Sequence, residues 1–401
     1  MLSLLLASAS AAGDSNDAVG DPFQGIEPIV HLRTYYWDSQ STSGDRSVAW
    51  ALGGWAGIKT RWYGDLLQLS VLGYTSQKLY GPENEGGSQL LQPDQDPITV
   101  LGQAYASLRY AGQTFTGYRQ MIDQPWVNPY DTRMIPNLFE GYLLSGQLAD
   151  LEYIGGYVTK FKARDSNAFA WMSSAAGSTG RQQGLVLVGA RLPIADGAYL
   201  RIAEQYLVDA YNTAYVDADY PIPVGADGRL RLRGQYANQQ SVGSAGLGVF
   251  NTWMYGVEGV YERGPATFLV AGTQTAHNKE TQAPFGANPS FLHMMQVDFN
   301  DADEKAWLIG GALDFTALGA AGLKVAAAYG SGHGAINSST GAAQGSRNET
   351  DLTLAYAFDR SSTLQGLSFG VEGSWLNQLG AAAQGRQLRV FANYDIHFDL
   401  R

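Results

Sequence analysis

Three arginines alternate with leucines in residues 228–236, which read Gly-Arg-Leu-Arg-Leu-Arg-Gly-Gln-Tyr. Successive side chains of a strand point to opposite faces, so Arg229, Arg231 and Arg233 would share one face. Their charges would then lie roughly 7 Å apart along the strand. A guanidinium group binds a carboxylate through two parallel hydrogen bonds and stays charged at any accessible pH. The spacing therefore predicts a row of anion-binding groups on one face of a sheet.

The same two-residue alternation recurs along most of the chain. In 28–37, for example, Val30 and Leu32 alternate with His31 and Arg33. Such segments are 28–37, 54–62, 66–75, 102–110, 139–146, 150–160, 184–192, 198–208, 228–236, 251–261, 266–275, 305–314, 322–330, 350–358, 367–376 and 387–396. At about 20 residues for each strand with its connection, the chain would hold about 16–20 strands. The pattern predicts an all-β fold, a closed antiparallel barrel with water inside and an apolar medium outside.

The connections between these segments fall into two length classes. Short turns are expected at 63–65, 110–112, 146–148 and 195–197. Long connections are expected at 76–98, 121–138, 162–183, 276–290 and 331–348. In outer-membrane barrels, short turns face the periplasm and long loops face the exterior.

Composition supports this class of protein. The 401 residues include 49 Gly, 23 Tyr and 9 Trp, no Cys, and a formal net charge of −11. This net charge argues against nucleic acid as a partner. No run of 18 uncharged apolar residues follows the first dozen positions, which argues against helical membrane spans. Residues 1–12 are similar to the back half of a secretory signal peptide, and 13–401 would form one barrel domain.

The acidic residues are expected mainly in connections. One group is Glu83, Glu85, Asp94 and Asp96, and another is Asp217, Asp219 and Asp227. Basic residues instead alternate within the strand-like segments. This distribution predicts a cationic interior surrounded by an acidic exterior rim.

Two segments resemble a known family. Residues 131–146 read Asp-Thr-Arg-Met-Ile-Pro-Asn-Leu-Phe-Glu-Gly-Tyr-Leu-Leu-Ser-Gly, and residues 298–307 read Asp-Phe-Asn-Asp-Ala-Asp-Glu-Lys-Ala-Trp. Both are similar to segments of the OprD-type porins, which are substrate-specific channels of Gram-negative outer membranes. The similarity continues through 322–324 and 367–369 to the last strand.

The resemblance implies an 18-stranded barrel whose third loop folds inward and narrows the pore. It also implies a basic ladder that leads carboxylate-bearing solutes past that constriction. Arg133 matches the ladder position in the inward loop, Asp298 matches an acidic residue opposite the ladder, and Arg389 matches an arginine facing the lumen. This chain departs from the family at positions often basic there, where it has Ala328, Gly370 and Glu372.

The candidate pore residues combine the spacing and the resemblance: Arg133, Arg229, Arg231, Arg233, Arg389, Asp298, Arg109, Arg61 and Tyr130, with Arg33, Lys59 and Arg201 as weaker candidates. The alternative role for each arginine is to pair with an acid and brace the barrel. Aromatic residues near strand ends, among them Trp37, Trp50 and Trp62, are expected in interfacial girdles or, alternatively, along the lumen.

These patterns predict passive diffusion of small anionic solutes, with carboxylates as the expected class, through a bacterial outer-membrane channel exported through the periplasm. The alternatives are a weakly selective porin, a structural or adhesive barrel, and, with least support, an outer-membrane enzyme. The sequence offers no catalytic residues and implies no cofactor or metal. Its expected partners are the solutes, outer-membrane lipid and lipopolysaccharide, and the barrel is expected to be monomeric or weakly trimeric.

Overall fold

The computed structural model of the chain describes residues 25–178, 182–359, 362–396 and 398. The expected signal-peptide remnant, residues 1–12, lies outside these described residues.

The described residues form nineteen strands connected mostly as antiparallel hairpins. They are β1 (Ile26–Gln40), β2 (Arg46–Thr60), β3 (Leu67–Tyr80), β4 (Ile98–Tyr110), β5 (Gln113–Gln120), β6 (Leu138–Leu148), β7 (Leu151–Lys162), β8 (Ala170–Trp171), β9 (Leu185–Ala195), β10 (Ala198–Leu207), β11 (Tyr211–Val224), β12 (Gly228–Ser241), β13 (Asn251–Arg263), β14 (Ala266–Thr275), β15 (Lys305–Asp314), β16 (Leu323–His333), β17 (Arg347–Ala357), β18 (Leu367–Gln378) and β19 (Gly385–Ile396). The helical elements are short, with α1 at Met172–Ala175 and 3₁₀ turns at Glu83–Glu85 and Phe315–Leu318.

Eighteen of these strands close into one barrel wall. β8 has two residues and pairs only with β7, whereas β7 also pairs with β9. β1 pairs with β2 on one side and with β19 on the other, in the register Tyr35↔Ala51 and Tyr35↔Phe391. Every backbone donor and acceptor in such a wall can find a neighbouring strand, which is the condition for crossing hydrocarbon with strands. The prediction of an all-β antiparallel barrel with 18 strands is confirmed.

The two faces of the wall differ as the alternation predicts. Leu32, Val257 and Val270 are among the large apolar side chains that face outward and stay exposed. His31, Asp217 and Glu258 are among the polar side chains that face inward and are buried. An outer apolar band with a polar interior is the arrangement that a lipid bilayer requires of a barrel. Among the described residues, no helix is long and apolar enough to cross a membrane.

The connections divide by length between the two rims. The long ones share one rim and span 81–97, 121–137, 163–184, 276–304 and 334–346. The other rim carries connections such as 61–66, 111–112, 149–150, 196–197 and 264–265. We refer to these two edges as the long-connection rim and the short-turn rim.

Several strand boundaries differ from the prediction. β5 and β11 were not expected as strands. β11 carries inward-facing aspartates and two prolines, which are unfavourable in strand propensity. Arg61 and Trp62 were expected at the end of a strand but lie beyond β2, and the turn expected at 146–148 lies instead at 149–150, because β6 continues to Leu148.

Candidate functional site

Three half-exposed guanidinium groups lie on the inner face of the wall formed by β10 to β13. They belong to Arg201 on β10 and to Arg231 and Arg233 on β12, with side chains 32%, 37% and 29% exposed. The intervening Leu232 is exposed on the outer face. The two-residue spacing thus orients Arg231 and Arg233 to one side, as the sequence indicates. Arg229 begins the same strand, is exposed and lies at the short-turn rim.

Carboxylates on neighbouring strands hold each of these arginines. The Arg201 Nε donates to Asp217 Oδ1 at 2.6 Å, and Arg231 binds Asp219 through two guanidinium nitrogens. Arg233 donates to Glu258 Oε2 at 2.6 Å. The carboxylates are at most 5% exposed, so the arginines present the accessible part of each pair to the lumen.

Two sequence expectations about acidic residues are therefore wrong. Asp217 and Asp219 were expected in an exterior connection, but both lie on β11 and face inward. The interior is not simply cationic, because buried carboxylates of Glu258, Glu349 and Glu372 also lie on inward-facing positions. A guanidinium row in a polar wall needs compensating charge, since an unpaired buried charge is costly.

The connection 121–137 contacts inward-facing residues on two sides of the barrel. Trp126 packs edge-on against Tyr215 of β11, with ring centroids 5.1 Å apart. The Pro125 carbonyl accepts a hydrogen bond from Gln205 of β10. At the other end of the connection, Met134 and Ile135 are buried in a cluster that includes residues of β1 to β4, among them Trp37, Ala51, Leu72 and Tyr74.

Arg133, the candidate ladder residue in this connection, is 7% exposed. Its guanidinium carbon lies 3.9 Å from the centroid of the Trp37 ring, and its Nε donates to the Ser88 carbonyl at 3.0 Å. Burial lowers the pKa of Arg133, and the positive charges of Arg164 and Arg389 lower it further. The side chain is thus packed against an aromatic ring instead of standing open in the lumen.

Arg133 belongs to a group of four guanidinium groups, which we call the arginine cluster: Arg33, Arg133, Arg164 and Arg389. Arg33 pairs with Asp131 at 2.6 Å and donates to the Arg133 carbonyl, and Arg389 pairs with Glu372 at 3.1 Å. Among the described residues, no ion pair joins Arg133 or Arg164 to a carboxylate. The four cations thus have two directly paired carboxylates, and the carboxylates of Asp165 and Asp351 act on Arg164 and Arg389 from beyond ion-pair distance.

Tyr130 connects the arginine cluster to the connection 276–304. The Arg164 guanidinium carbon lies 4.0 Å from the centroid of the Tyr130 ring, and His293 meets the same ring edge-on at 5.4 Å. His293 in turn pairs with Asp298 at 2.7 Å. Burial raises the pKa of Asp298, but the facing His293, together with the charge of Arg347, outweighs this effect, so the pKa of this carboxyl is lowered.

The connection 276–304 is attached to inward-facing residues of β16 to β19. Glu349 accepts hydrogen bonds from the backbone N–H groups of Gln296 and Val297 at 2.7 and 3.0 Å, and Asp351 accepts from that of Met295 at 3.1 Å. Glycine permits this close approach, because a Cβ on Gly330 would lie 2.5 Å from the sulfur of Met294.

This connection also contacts 121–137 directly. The Asn128 side chain exchanges two hydrogen bonds with the backbone of Ala287, at 2.8 and 3.0 Å. The backbone N–H of Asn128 donates to the Phe285 carbonyl at 3.3 Å. The two connections therefore support each other through backbone-directed hydrogen bonds.

Two further candidate residues lie, with Arg229, at the short-turn rim, away from the arginine cluster. Arg61 pairs with Glu27 at 3.4 Å, and its side chain is 55% exposed. Arg109 pairs with Asp65 at 2.9 Å and stacks over Trp62 at 3.9 Å. Both arrangements fit the bracing role that the sequence left open.

Trp37 lies on the inner face of the barrel, which was the alternative to the expected interfacial girdle. Trp37 is buried on the inner face beneath Arg133 and Arg389. Trp50 is exposed on the outer face and donates to Thr34, as an interfacial ring would.

The sequence did not single out Arg164. Arg164 lies just after β7, and its backbone N–H donates a hydrogen bond to the Asn137 side chain at 2.9 Å. Because this contact is distant in sequence, no local pattern predicts the position of Arg164. The inward face of β11 did carry a signal, because Ala214, Val216 and Ala218 alternate there with Tyr215, Asp217 and Asp219. No group of three or more metal-ligating side chains occurs in the described part of the chain.

Comparisons with known proteins agree on one family. A family model described as outer membrane porin, OprD family, matches residues 23–398. Porin D of Pseudomonas aeruginosa is 24% identical over 444 residues, an alignment that covers 98% of this chain and 98% of that protein.

Solved structures show the same fold. OpdK of Pseudomonas aeruginosa, crystallised with vanillate, has a TM-score of 0.82 at 20% identity and covers 93% of this chain and 99% of that chain. OccAB3 of Acinetobacter baumannii has a TM-score of 0.85 at 17% identity, with coverage of 93% and 99%.

Proposed function

This chain belongs to the OprD family of outer membrane porins, and we propose that the solutes it passes are small anions bearing a carboxylate group. A porin performs no reaction, so its selectivity arises from groups that attract a solute enough to enter and weakly enough to leave. The residues on the inner face of the wall and on the two contacting connections are therefore the ones that determine the solute class.

The arginine cluster carries the proposal. Arg33 and Arg389 have carboxylate partners, whereas Arg133 and Arg164 have none among the described residues. Charges in a poorly hydrated site are weakly screened, so the two guanidinium groups without a directly paired carboxylate attract an anion over several ångströms. Arg133 is buried against Trp37, so we expect it to act through its field more than by direct contact.

Direct contacts are supplied by the half-exposed arginines of the β10 to β13 wall. Arg201, Arg231 and Arg233 each have a buried carboxylate behind the guanidinium and an accessible edge toward the lumen. A solute carboxylate can share such an edge without displacing the structural partner. These arginines would act as successive sites along the wall, which is the expected basic ladder.

We further propose that the connections 121–137 and 276–304 fold into the lumen and narrow it. The support is the set of contacts that both make with inward-facing residues, such as Trp126 with Tyr215 and Glu349 with Gln296. The hydrogen bonds between Asn128 and Ala287 would hold the two connections together. Anions would then pass the arginine cluster at close range.

A related structure is compatible with this solute class. OpdK was crystallised with vanillate, which is an aromatic carboxylate. In the present chain, the rings of His31, Trp55 and Tyr74 stack on the inner face beside Arg33, which could accommodate a flat solute next to a cation.

The direct test compares block of single-channel current by benzoate and by benzamide, which have the same ring and nearly the same size. We expect millimolar benzoate to reduce the current in a concentration-dependent manner, because its carboxylate occupies the guanidinium sites, and benzamide to have little effect. Equal effects of the two compounds would exclude carboxylate recognition and leave an unselective pore.

One observation favours a second function, that of a weakly selective porin. The inward-facing carboxylates Asp217, Asp219, Glu258 and Glu372 offset much of the positive charge of the arginines. In such a pore, size alone would decide which solutes pass. The benzoate and benzamide comparison separates this function from the first.

A further inference from the structure

The outward face of β16 to β19 contains a concavity of about 790 Å³ that the pore does not use. Its apolar lining comprises Val325, Leu352, Leu354, Val371, Trp375 and Leu388. All six alternate with inward-facing residues such as Thr353 and Glu372, and all are exposed on the outer face. The concavity therefore opens toward lipid. We call it the lipid-facing groove.

Gly373 creates the floor of this groove. It lies opposite Leu352 on β17 and Leu388 on β19, at a position where the alternation would place a large apolar side chain. The Trp375 ring lies above it, because a Cβ on Gly373 would be 3.3 Å from the outer edge of the indole. The indole thus packs over the space that a side chain at this position would fill, and the groove is lined by this ring and by the exposed apolar side chains of β16 to β19.

Two arginines lie at the upper end of the groove. Arg386 is paired in register with Gln40 of β1, and Gln40 is paired with Arg46 of β2. Strands lie about 4.8 Å apart, so the two arginine backbones are about 10 Å apart across three adjacent strands. Both residues are among those lining the groove.

The two arginines differ in their partners. Arg46 binds Asp38 at 2.9 Å and approaches Glu85 at 3.6 Å, yet its side chain is 51% exposed. Arg386 is exposed, and no ion pair involves it within the described residues. An unpaired cation at an apolar face attracts a negative headgroup. Arg386 is thus the residue of the groove best able to bind an anion.

The position of Arg386 and Arg46 along the barrel axis indicates which leaflet of the membrane the groove contacts. Arg386 and Arg46 lie at the long-connection rim, which faces the exterior in outer-membrane barrels. We propose that the lipid-facing groove docks one phosphorylated glycolipid of the outer leaflet, with an acyl chain against Trp375 and the neighbouring apolar side chains and a phosphate on Arg386. An apolar slot, an interfacial indole and a guanidinium group match the three chemical zones of such a lipid. The inference concerns the outer face, so it is independent of the solute proposed for the pore.

The test measures binding of purified bisphosphorylated lipid A to the detergent-solubilised full chain by native mass spectrometry. We expect one lipid per barrel, and about tenfold weaker binding for Arg386→Ala, since a charge-assisted contact to phosphate is lost. Gly373→Leu should weaken binding too, because its side chain would displace the Trp375 ring into the groove. Arg263→Ala is the matched control, because Arg263 is an exposed arginine at the short-turn rim.

Four outcomes would overturn the proposal. Equal binding by wild type and Arg386→Ala would remove the phosphate contact. Equal binding of dephosphorylated lipid A would show that the acyl chain alone is held, and equal weakening by Arg263→Ala would show non-specific attraction. A lipid-free dimer that Arg386→Ala dissociates would show that a second copy covers the groove. Single-channel conductance of Arg386→Ala should match wild type, and this measurement reports on the pore separately.

Discussion

At the residue scale, the decisive feature is which arginines have carboxylate partners. Arg231 and Arg233 were predictable from their two-residue spacing, because strand geometry alone orients them. Their partners Asp219 and Glu258 were not predicted, because cross-strand neighbours depend on register, which one sequence does not display. Arg164 was likewise missed, because the chain brings it to Tyr130 through tertiary contacts alone.

Arg133→Ala should lower the anion-to-cation permeability ratio by about two- to fivefold, the effect of one unit charge several ångströms from a permeating ion in water. It should also weaken block by benzoate. Reversal potential in a salt gradient measures the first effect, and single-channel recording measures the second.

Two control variants accompany this measurement. Glu83→Ala alters a charge in the connection 81–97, and Arg263→Ala removes an exposed arginine at the short-turn rim. Neither should change selectivity. If Arg133→Ala behaved like these controls, Arg133 would serve only to pack 121–137 against Trp37.

Asp219→Asn tests the carboxylates behind the ladder. Asp219 binds Arg231 and lies 3.6 Å from Arg233, so its loss removes one negative charge, frees Arg231 and leaves Arg233 with Glu258 alone. The permeability ratio should shift toward anions by a factor similar to that of Arg133→Ala, in the opposite direction. Reversal potential is again the readout, and a shift toward cations would contradict the assignment.

At the element scale, the strands were more predictable than the connections. Sixteen segments with period-two alternation correspond to barrel strands, because the boundary between lipid and water imposes that period on each of them. β5 and β11 were not predicted as strands. β5 is short, and β11 contains charged residues and prolines. The paths of 121–137 and 276–304 follow from hydrogen bonds and packing contacts with distant strands, which no periodicity encodes.

Glu349→Ala should loosen the connection 276–304. The backbone N–H groups of Gln296 and Val297 would lose their acceptor, and an unpaired buried donor is costly. The chain has no cysteine, so maleimide labelling of Ser290→Cys can report exposure of this connection. We expect labelling to be several-fold faster in the Glu349→Ala background, since free energies of opening of about 1 kcal/mol translate into such factors.

Glu349→Gln and Glu152→Ala are the matched controls for labelling. Glu349→Gln keeps one acceptor oxygen and should show an intermediate rate. Glu152 is exposed at the start of β7, near the short-turn rim, so its replacement should have no effect. Identical labelling in all four backgrounds would mean that other contacts, such as Arg389 with the Met295 carbonyl, suffice to hold the connection.

At the scale of the whole molecule, the barrel is complete within one chain. β1 closes against β19, and the arginine cluster is assembled from strands and connections of the same protomer. A second copy is therefore not needed to form the pore. We expect a monomer or a weak trimer that dissociates on dilution in detergent, measured by light scattering after size exclusion. A stable trimer that resists dilution would contradict this expectation.

The most direct test of the account is the reversal potential of the refolded wild-type protein in a planar bilayer under a tenfold potassium chloride gradient, before and after addition of benzoate. The arginine cluster, with two guanidinium groups that have no directly paired carboxylate among the described residues, predicts a preference for chloride and a reduction of current by benzoate. A preference for potassium, or a current unaffected by benzoate, would contradict a carboxylate pathway through this barrel.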